Sequence, residues 1–229
     1  MEEIEGISLL ISKYKDKDGI LNILTKNGLY SVLGRGIFNF KSKIFSFSSP
    51  FLHAKFEIYK GNVGGYKLKS GTITSAFNDL KIYDYNKAII LDFLSEIILK
   101  AKDGIDDFEA LFNMTLNLLE NLNKKDSFKI LSYFLIKLSF LLGLEVLIKC
   151  DDSYEEYYFD YKNGIICNTK TVSSFQISKN DLDFIKCSYE KSEYFELSAN
   201  YLKIITSFSL LFETQFNFKI NSLDLLTKY

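Results

Sequence analysis

Seventeen residues, Arg35 to Phe51 (RGIFNFKSKIFSFSSPF), hold three cations, Arg35, Lys41 and Lys43, with five phenylalanines, the chain's single proline, Pro50, and no acid. Cations neutralise phosphates and release counterions, so this composition points to a nucleic-acid backbone. Exposed rings would add base-stacking faces worth about 1 to 3 kcal/mol per base. In a chain that is 16% aromatic, however, Phe38, Phe40, Phe45, Phe47 and Phe51 are expected mostly in the core. The three cations are therefore the candidate binding groups. Lys67 and Lys69, two apart on a later strand, share a face and would extend the basic track.

Charge is unevenly spread. Residues 11 to 70 carry eleven Lys and Arg against three Asp and Glu, a net of +8, and the rest carries seventeen against twenty-six, a net of −9. The formal −1 conceals a basic N-terminal part suited to a polyanion and an acidic remainder suited to solvent or a partner.

Enzyme signatures are missing. The chain has no GxxxxGK[ST], GxGxxG, HExxH or GxSxG, and its one histidine, His53, falls on the outward face of a strand, where it is expected at the surface. No catalytic residue is assigned and the chain is expected not to be an enzyme. Gly34 and Gly36 read as strand-end glycines. The pair Asp106-Asp107 reads as a helix start and Asp151-Asp152 as a loop. Cys150, Cys167 and Cys187 are odd in number, widely spaced and without C-x-x-C, so reduced thiols, no zinc and no cofactor are expected.

A hydrophobic share of 47% and a charged share of 25% describe a globular chain. The longest apolar patches, 88–94 and 134–144, fall short of the ~20 residues a membrane span needs. The acidic opening MEEIEG is unlike a signal peptide. A cytoplasmic, nucleoid-associated protein without membrane contact is expected.

The elements that would position these groups begin with five short strands between Ile4 and Phe77. Leu52, Ala54, Phe56 and Ile58 alternate with His53, Lys55, Glu57 and Tyr59, and Asn27-Gly28 suggests a type I′ hairpin. Five such strands make a partly open antiparallel barrel, the OB-fold, over 1–78. A helical domain, 79–229, follows. Helices are expected over 86–102, 106–123 and 127–142, then from Asn180 as N-cap and over 192–212, with a closing strand and helical turn. A β-hairpin insert at about 146–178, turning at Asn163-Gly164, interrupts the helices, so the fold class is α+β.

Several segments resemble one family. EGISL, ILTKNGLYSVLGRGIFNFKSKIFSFSSPF and EIYKG are similar to the opening strand, hairpin and R-G-x-x-x-x-K-S-[RK] segment of the bacterial DNA repair protein RecO family. LSYFLIKLSFLLGLEVLIKC, NGIIC and FNFKINS resemble its later segments. Arg35, Gly36, Lys41, Ser42, Lys43, Pro50 and Phe51 fall on matching positions without a gap. Two further Arg common in the family's loop are here Phe38 and Asn39. The zinc knuckles of some members are reduced to Cys150 and Cys167, with Ser153 and Lys170 as their partners, leaving a degenerate zinc-ribbon-like insert. The resemblance implies a non-catalytic recombination mediator. It would bind single- and double-stranded DNA, anneal complementary strands and, with RecR, help load RecA on gaps covered by single-stranded-DNA-binding protein, whose C-terminal tail is a further partner. The alternative is an OB-fold protein-interaction scaffold without intrinsic DNA affinity.

Overall fold

The structure, a computed structural model, describes residues 1–61, 64–77, 84–124, 126–150, 156–191 and 197–227. Its strands are β1 (Glu2–Lys15), β2 (Asp18–Thr25), β3 (Gly28–Gly34), β4 (Leu52–Lys60), β5 (Tyr66–Ala76), β6 (Leu147–Lys149), β7 (Tyr157–Asp160), β8 (Ile165–Cys167) and β9 (Ser174–Ile177). Its helices are α1 (Tyr85–Ala101), α2 (Phe108–Asn121), α3 (Ser127–Leu141), α4 (Lys179–Glu190), α5 (Tyr201–Phe216) and α6 (Leu223–Leu226). Two compact units divide the chain: Met1–Tyr85 with Asp107–Glu120, and Asn86–Asp106 with Asn121–Tyr229. The boundary expected at 78/79 and the Asp151-Asp152 pair lie outside the described residues, as does Ser153.

In the first unit the strands close into a barrel in the order β1-β2-β3-β5-β4, the OB-fold arrangement. The long β1 serves two neighbours: Glu2 to Ile7 pair with β4, and Ile7 to Lys15 pair with β2. Closure comes from a short parallel contact, Val32 with Tyr66 and Leu33 with Lys67, rather than from an antiparallel sheet left partly open. Leu52, Ala54, Phe56 and Ile58 enter the barrel core with Leu21, Ile23, Val32 and Leu68, as their alternation requires.

Two local expectations change. Lys26 and Asn27 form the loop between β2 and β3, because Thr25 pairs with Gly28. Thr25 Oγ1 accepts from the Asn27 N–H (3.1 Å) and donates to the Gly28 carbonyl (2.9 Å), and of these residues only Gly28 takes a positive φ, 139°. A type I′ turn on Asn27-Gly28 is therefore replaced by a turn held by the threonine hydroxyl. His53 is 8% exposed, not a surface residue. It does point outward from β4, but α2 lies over that face, with the Phe112 ring edge-on at 5.8 Å and Glu5 Oε1 2.9 Å from His53 Nε2.

In the second unit α3 is apolar on nearly every side and packs against α4 and α5. Asp126 caps it, accepting from the N–H groups of Phe128 (2.9 Å) and Lys129 (3.2 Å), and Gly143 at φ 67° ends it. The next N-cap is Ser178 rather than Asn180. Ser178 Oγ accepts from the Asp181 N–H and Asp181 Oδ2 from the Ser178 N–H, a capping box that outcompetes the neighbouring asparagine. Asp181 Oδ1 also accepts from the Asn200 N–H at 2.6 Å, joining the starts of α4 and α5. The helix expected over 192–212 begins at Tyr201 behind Asn200, and residues 192–196 lie outside the described set. The strand expected after it is absent among the described residues: Asn217 turns left-handed at φ 52°, and turns lead into α6.

The expected hairpin is present as β7 and β8, with Gly164 at φ 61° in its turn, but it belongs to a four-stranded sheet in the order β6-β8-β7-β9. The β6–β8 pairing is parallel, a contact no local turn encodes. Buried Asp160 organises the turn: its carboxylate accepts from the N–H groups of Lys162 (3.0 Å) and Asn163 (3.2 Å), Asn163 Nδ2, Thr171 Oγ1 and Ser173 Oγ. Burial pushes this carboxyl up, but those hydrogen bonds outweigh it and hold it below the usual carboxylate range. Asp160→Ala leaves several donors unpaired and should destabilise the unit by roughly 3 kcal/mol or more, measured by urea unfolding at neutral pH. A loss under about 1 kcal/mol would show that water replaces the carboxylate.

Candidate nucleic-acid interface

The segment between β3 and β4 is built on four buried anchors, Ile37, Ile44, Phe47 and Phe51. Between them the backbone makes successive tight turns. The Asn39 N–H donates to the Gly36 carbonyl (3.0 Å), the Ser42 N–H to that of Asn39 (2.8 Å), and the Phe45 N–H to that of Ser42 (3.1 Å). Asn39 Oδ1 and Ser42 Oγ accept from the Lys41 and Ile44 N–H groups, the short-range bonding these residue types favour in turns. Gly36 adopts φ 68°, which only glycine takes without strain, and its N–H donates to Asp18 Oδ1 at 2.7 Å. The Phe38 N–H donates to the Lys17 carbonyl at 2.9 Å. These two bonds fasten the segment to the β1–β2 turn.

Arg35, Lys41 and Lys43 are all exposed, and no carboxylate among the described residues pairs with them. The strand register brings further cations to the same end of the barrel. Lys13 faces Gly19, which faces Gly34, so Lys13, Lys15 and Lys17 sit beside Arg35. These three lie outside the seventeen-residue stretch, and their alternation with Tyr14 and Asp16 at a hairpin tip is the signal in the sequence that marks them. Asp18 is engaged with Gly36, and Asp16 is the other acid of that turn. The Lys and Arg charges thus outnumber the acids here.

Lys67 and Lys69 differ from each other. Lys67 pairs with Leu33 across the closing seam and its side chain lies along Gly61, where an added Cβ would come within 2.7 Å of Lys67 Cε. Lys69 sits at the β5 register shift, 3.9 Å from Glu57 Oε2, so its charge is already shared. Beside Lys67, Tyr30 and Tyr66 stand with ring centroids 5.4 Å apart; burial first, then Glu2 and Tyr66, push the Tyr30 phenol up.

The phenylalanines divide. Phe47 and Phe51 are core and Phe38 is half-buried, as expected, but Phe40 is 74% exposed and Phe45 42%. The turns alternate inward anchors with outward residues, so the backbone path, not hydrophobicity, decides which ring is buried.

Comparison with known proteins accords with this architecture. The model for the C-terminal part of recombination protein O matches residues 82–203, just over half of the chain. The chain belongs to the RecO family. It is 27% identical over 212 residues to the DNA repair protein RecO of Clostridium perfringens, covering 91% of this chain and 81% of that one. It is 26% identical over 175 residues to that of Listeria monocytogenes serotype 4a, covering 73% and 68%. Against that of Oceanobacillus iheyensis it is 23% identical over 212 residues, covering 91% and 76%. The family model covers α1 to α4 and the small sheet and ends at the start of α5, and the two alignments that span 91% of the chain extend into the barrel.

In this RecO-family chain none of the three cysteines forms a disulfide, and the described residues gather no group of three or more His, Cys, Asp or Glu able to hold a metal. Among them no helix is long and apolar enough to cross a membrane.

Proposed function

We propose that this protein serves DNA repair and recombination as a non-catalytic mediator. It binds single- and double-stranded DNA through the basic end of its barrel and anneals complementary strands. With RecR it helps load RecA on gaps covered by single-stranded-DNA-binding protein, whose C-terminal tail it contacts. The observation that carries this reading is the cluster of acid-free cations, Arg35, Lys41 and Lys43, beside Lys13, Lys15 and Lys17 on one barrel end of a RecO-family chain. Lys67 extends the track, and Lys69 contributes less because Glu57 shares its charge. Such a surface holds phosphates while leaving bases free to pair, which is what annealing asks of it. The reaction requires no bond chemistry from the protein, and its setting is the cytoplasm, at the nucleoid.

Fluorescence anisotropy with labelled single strands and duplexes tests the proposal. Affinity should fall steeply with salt, with a log–log slope of about −4 or steeper if six cations engage single-stranded phosphates. A flat salt profile would favour the protein-interaction scaffold instead. Pull-down with RecR from the same genome tests the partnership, and absence of a complex would remove it.

A further inference from the structure

Two rings stand out at the basic end, Tyr14 near the end of β1 and Phe40 on the segment between β3 and β4, and the following inference rests on the nucleic-acid reading of that end. Tyr14 is 53% exposed with Lys15 Nζ 5.4 Å from its ring centroid, and Phe40 has Lys41 Nζ at 5.7 Å from its own. The bonds from Phe38 to Lys17 and from Gly36 to Asp18 lock the two turns side by side. Neither ring belongs to the barrel core, whose anchors from this segment are Ile37, Ile44 and Phe47. Each ring is therefore presented twice over, by exposure and by an adjoining cation.

An unpaired nucleotide offers a phosphate and a bare base face within one residue's reach, whereas a duplex keeps its base faces stacked inside. A ring next to a cation matches the first and gives the second nothing beyond the charge. We propose that Tyr14 and Phe40 are base-stacking residues that make this barrel end favour single strands over duplex. Lys15 and Lys41, with Arg35 and Lys43, hold the phosphates. Charge complementarity selects the occupant: Arg35, Lys41, Lys43, Lys13, Lys15 and Lys17 gather here, and the β1–β2 turn beside them carries Asp16 and the engaged Asp18 as its acids. Stacking is tolerant of sequence, because every base has a π-face, so the surface discriminates by strandedness rather than by code.

The test uses the full chain and four labelled probes. These are an oligothymidylate long enough for the ~4 to 16 nucleotides an OB fold covers, an abasic strand of the same length, a duplex of that length, and polyglutamate. Tyr14→Ala and Phe40→Ala should each weaken oligothymidylate binding by about five- to a hundredfold. Duplex affinity and the salt slope should stay unchanged, and Phe40→Tyr should restore binding. The intact protein should bind the abasic strand correspondingly weakly. Equal affinity for abasic and normal strands, or equal losses on duplex, would overturn the assignment while leaving DNA binding standing. Equal losses on polyglutamate would reassign the rings to an acidic peptide. Failure of the intact protein to bind any nucleic acid would remove the underlying reading and this one with it.

Discussion

Reversing Arg35, Lys41 and Lys43 to glutamate together should weaken binding of a labelled single strand by roughly a thousandfold at about 50 mM salt. It should also reduce the magnitude of the salt slope by about 2 to 3. All three residues are exposed on turns whose backbone bonds come from Asn39, Ser42 and Asp18, so the fold should persist by circular dichroism. Each reversal removes a phosphate partner and adds repulsion, and no carboxylate among the described residues forms an ion pair with these three charges. Lys69→Ala is the contrast, with an expected loss within about threefold because Glu57 already shares that charge. Affinity of the triple variant within about threefold of the parent, or an unchanged slope, would remove this surface from DNA binding.

Glu96→Gln should lower stability at neutral pH by roughly 3 kcal/mol. Glu96, on α1, holds the segment that leads into α6. Its carboxylate accepts from the Asn221 N–H (2.8 Å) and Nδ2 (3.0 Å), the Ser222 N–H (2.9 Å) and Oγ (2.5 Å), and Lys100 Nζ (2.7 Å). Lys100 Nζ also donates to the Lys219 carbonyl, and Glu213 accepts from the Ile220 N–H at 2.6 Å. Burial raises the Glu96 pKa, but the bonds from Lys100, Ser222 and the Asn221 and Ser222 backbone outweigh it and lower it to about 2. A folded-state pKa below the unfolded value contributes stability that is fully present above the unfolded value of 4.5 and is lost as pH falls toward 2. Urea unfolding between neutral pH and pH ~2 should therefore show a shallower acid loss in the variant than in the parent. Parallel profiles would mean that Glu96 titrates no differently in the folded protein.

The barrel and the helices were legible because each depends on short-range pattern. Alternation at Leu52, Ala54, Phe56 and Ile58 marks β4, and three-and-four spacing from Ile89 to Ile98 marks α1, whatever the rest of the chain does. Asp126 was readable as a cap because its hydrogen bonds reach only two and three residues along. Ser178 was missed in favour of Asn180 because the deciding bond comes from Asp181, three residues on and equally able to start a helix of its own. The hairpin at Asn163-Gly164 is visible in the sequence, but the pairing of β6 with β8 and of β9 with β7 into one sheet is not, since it joins segments that no hairpin signal links.

For the candidate interface the division is similar. Residue types and spacing establish that Arg35, Lys41 and Lys43 lie in one acid-free stretch, and that the charge of this chain is polarised toward its N-terminal part. Burial is a different kind of property. His53 is covered because Phe112, 59 positions later, packs over it, and Lys69 is discounted because the β4–β5 register brings Glu57 beside it. Lys13, Lys15 and Lys17 join Arg35 only because Gly19 pairs with both Lys13 and Gly34. Phe40 is exposed and Phe47 buried although both lie in the same seventeen residues, because the turns between Gly36 and Phe45 send them opposite ways. Local patterning carries the elements and the charges; long-range pairing and backbone direction decide which of those charges and rings face a partner.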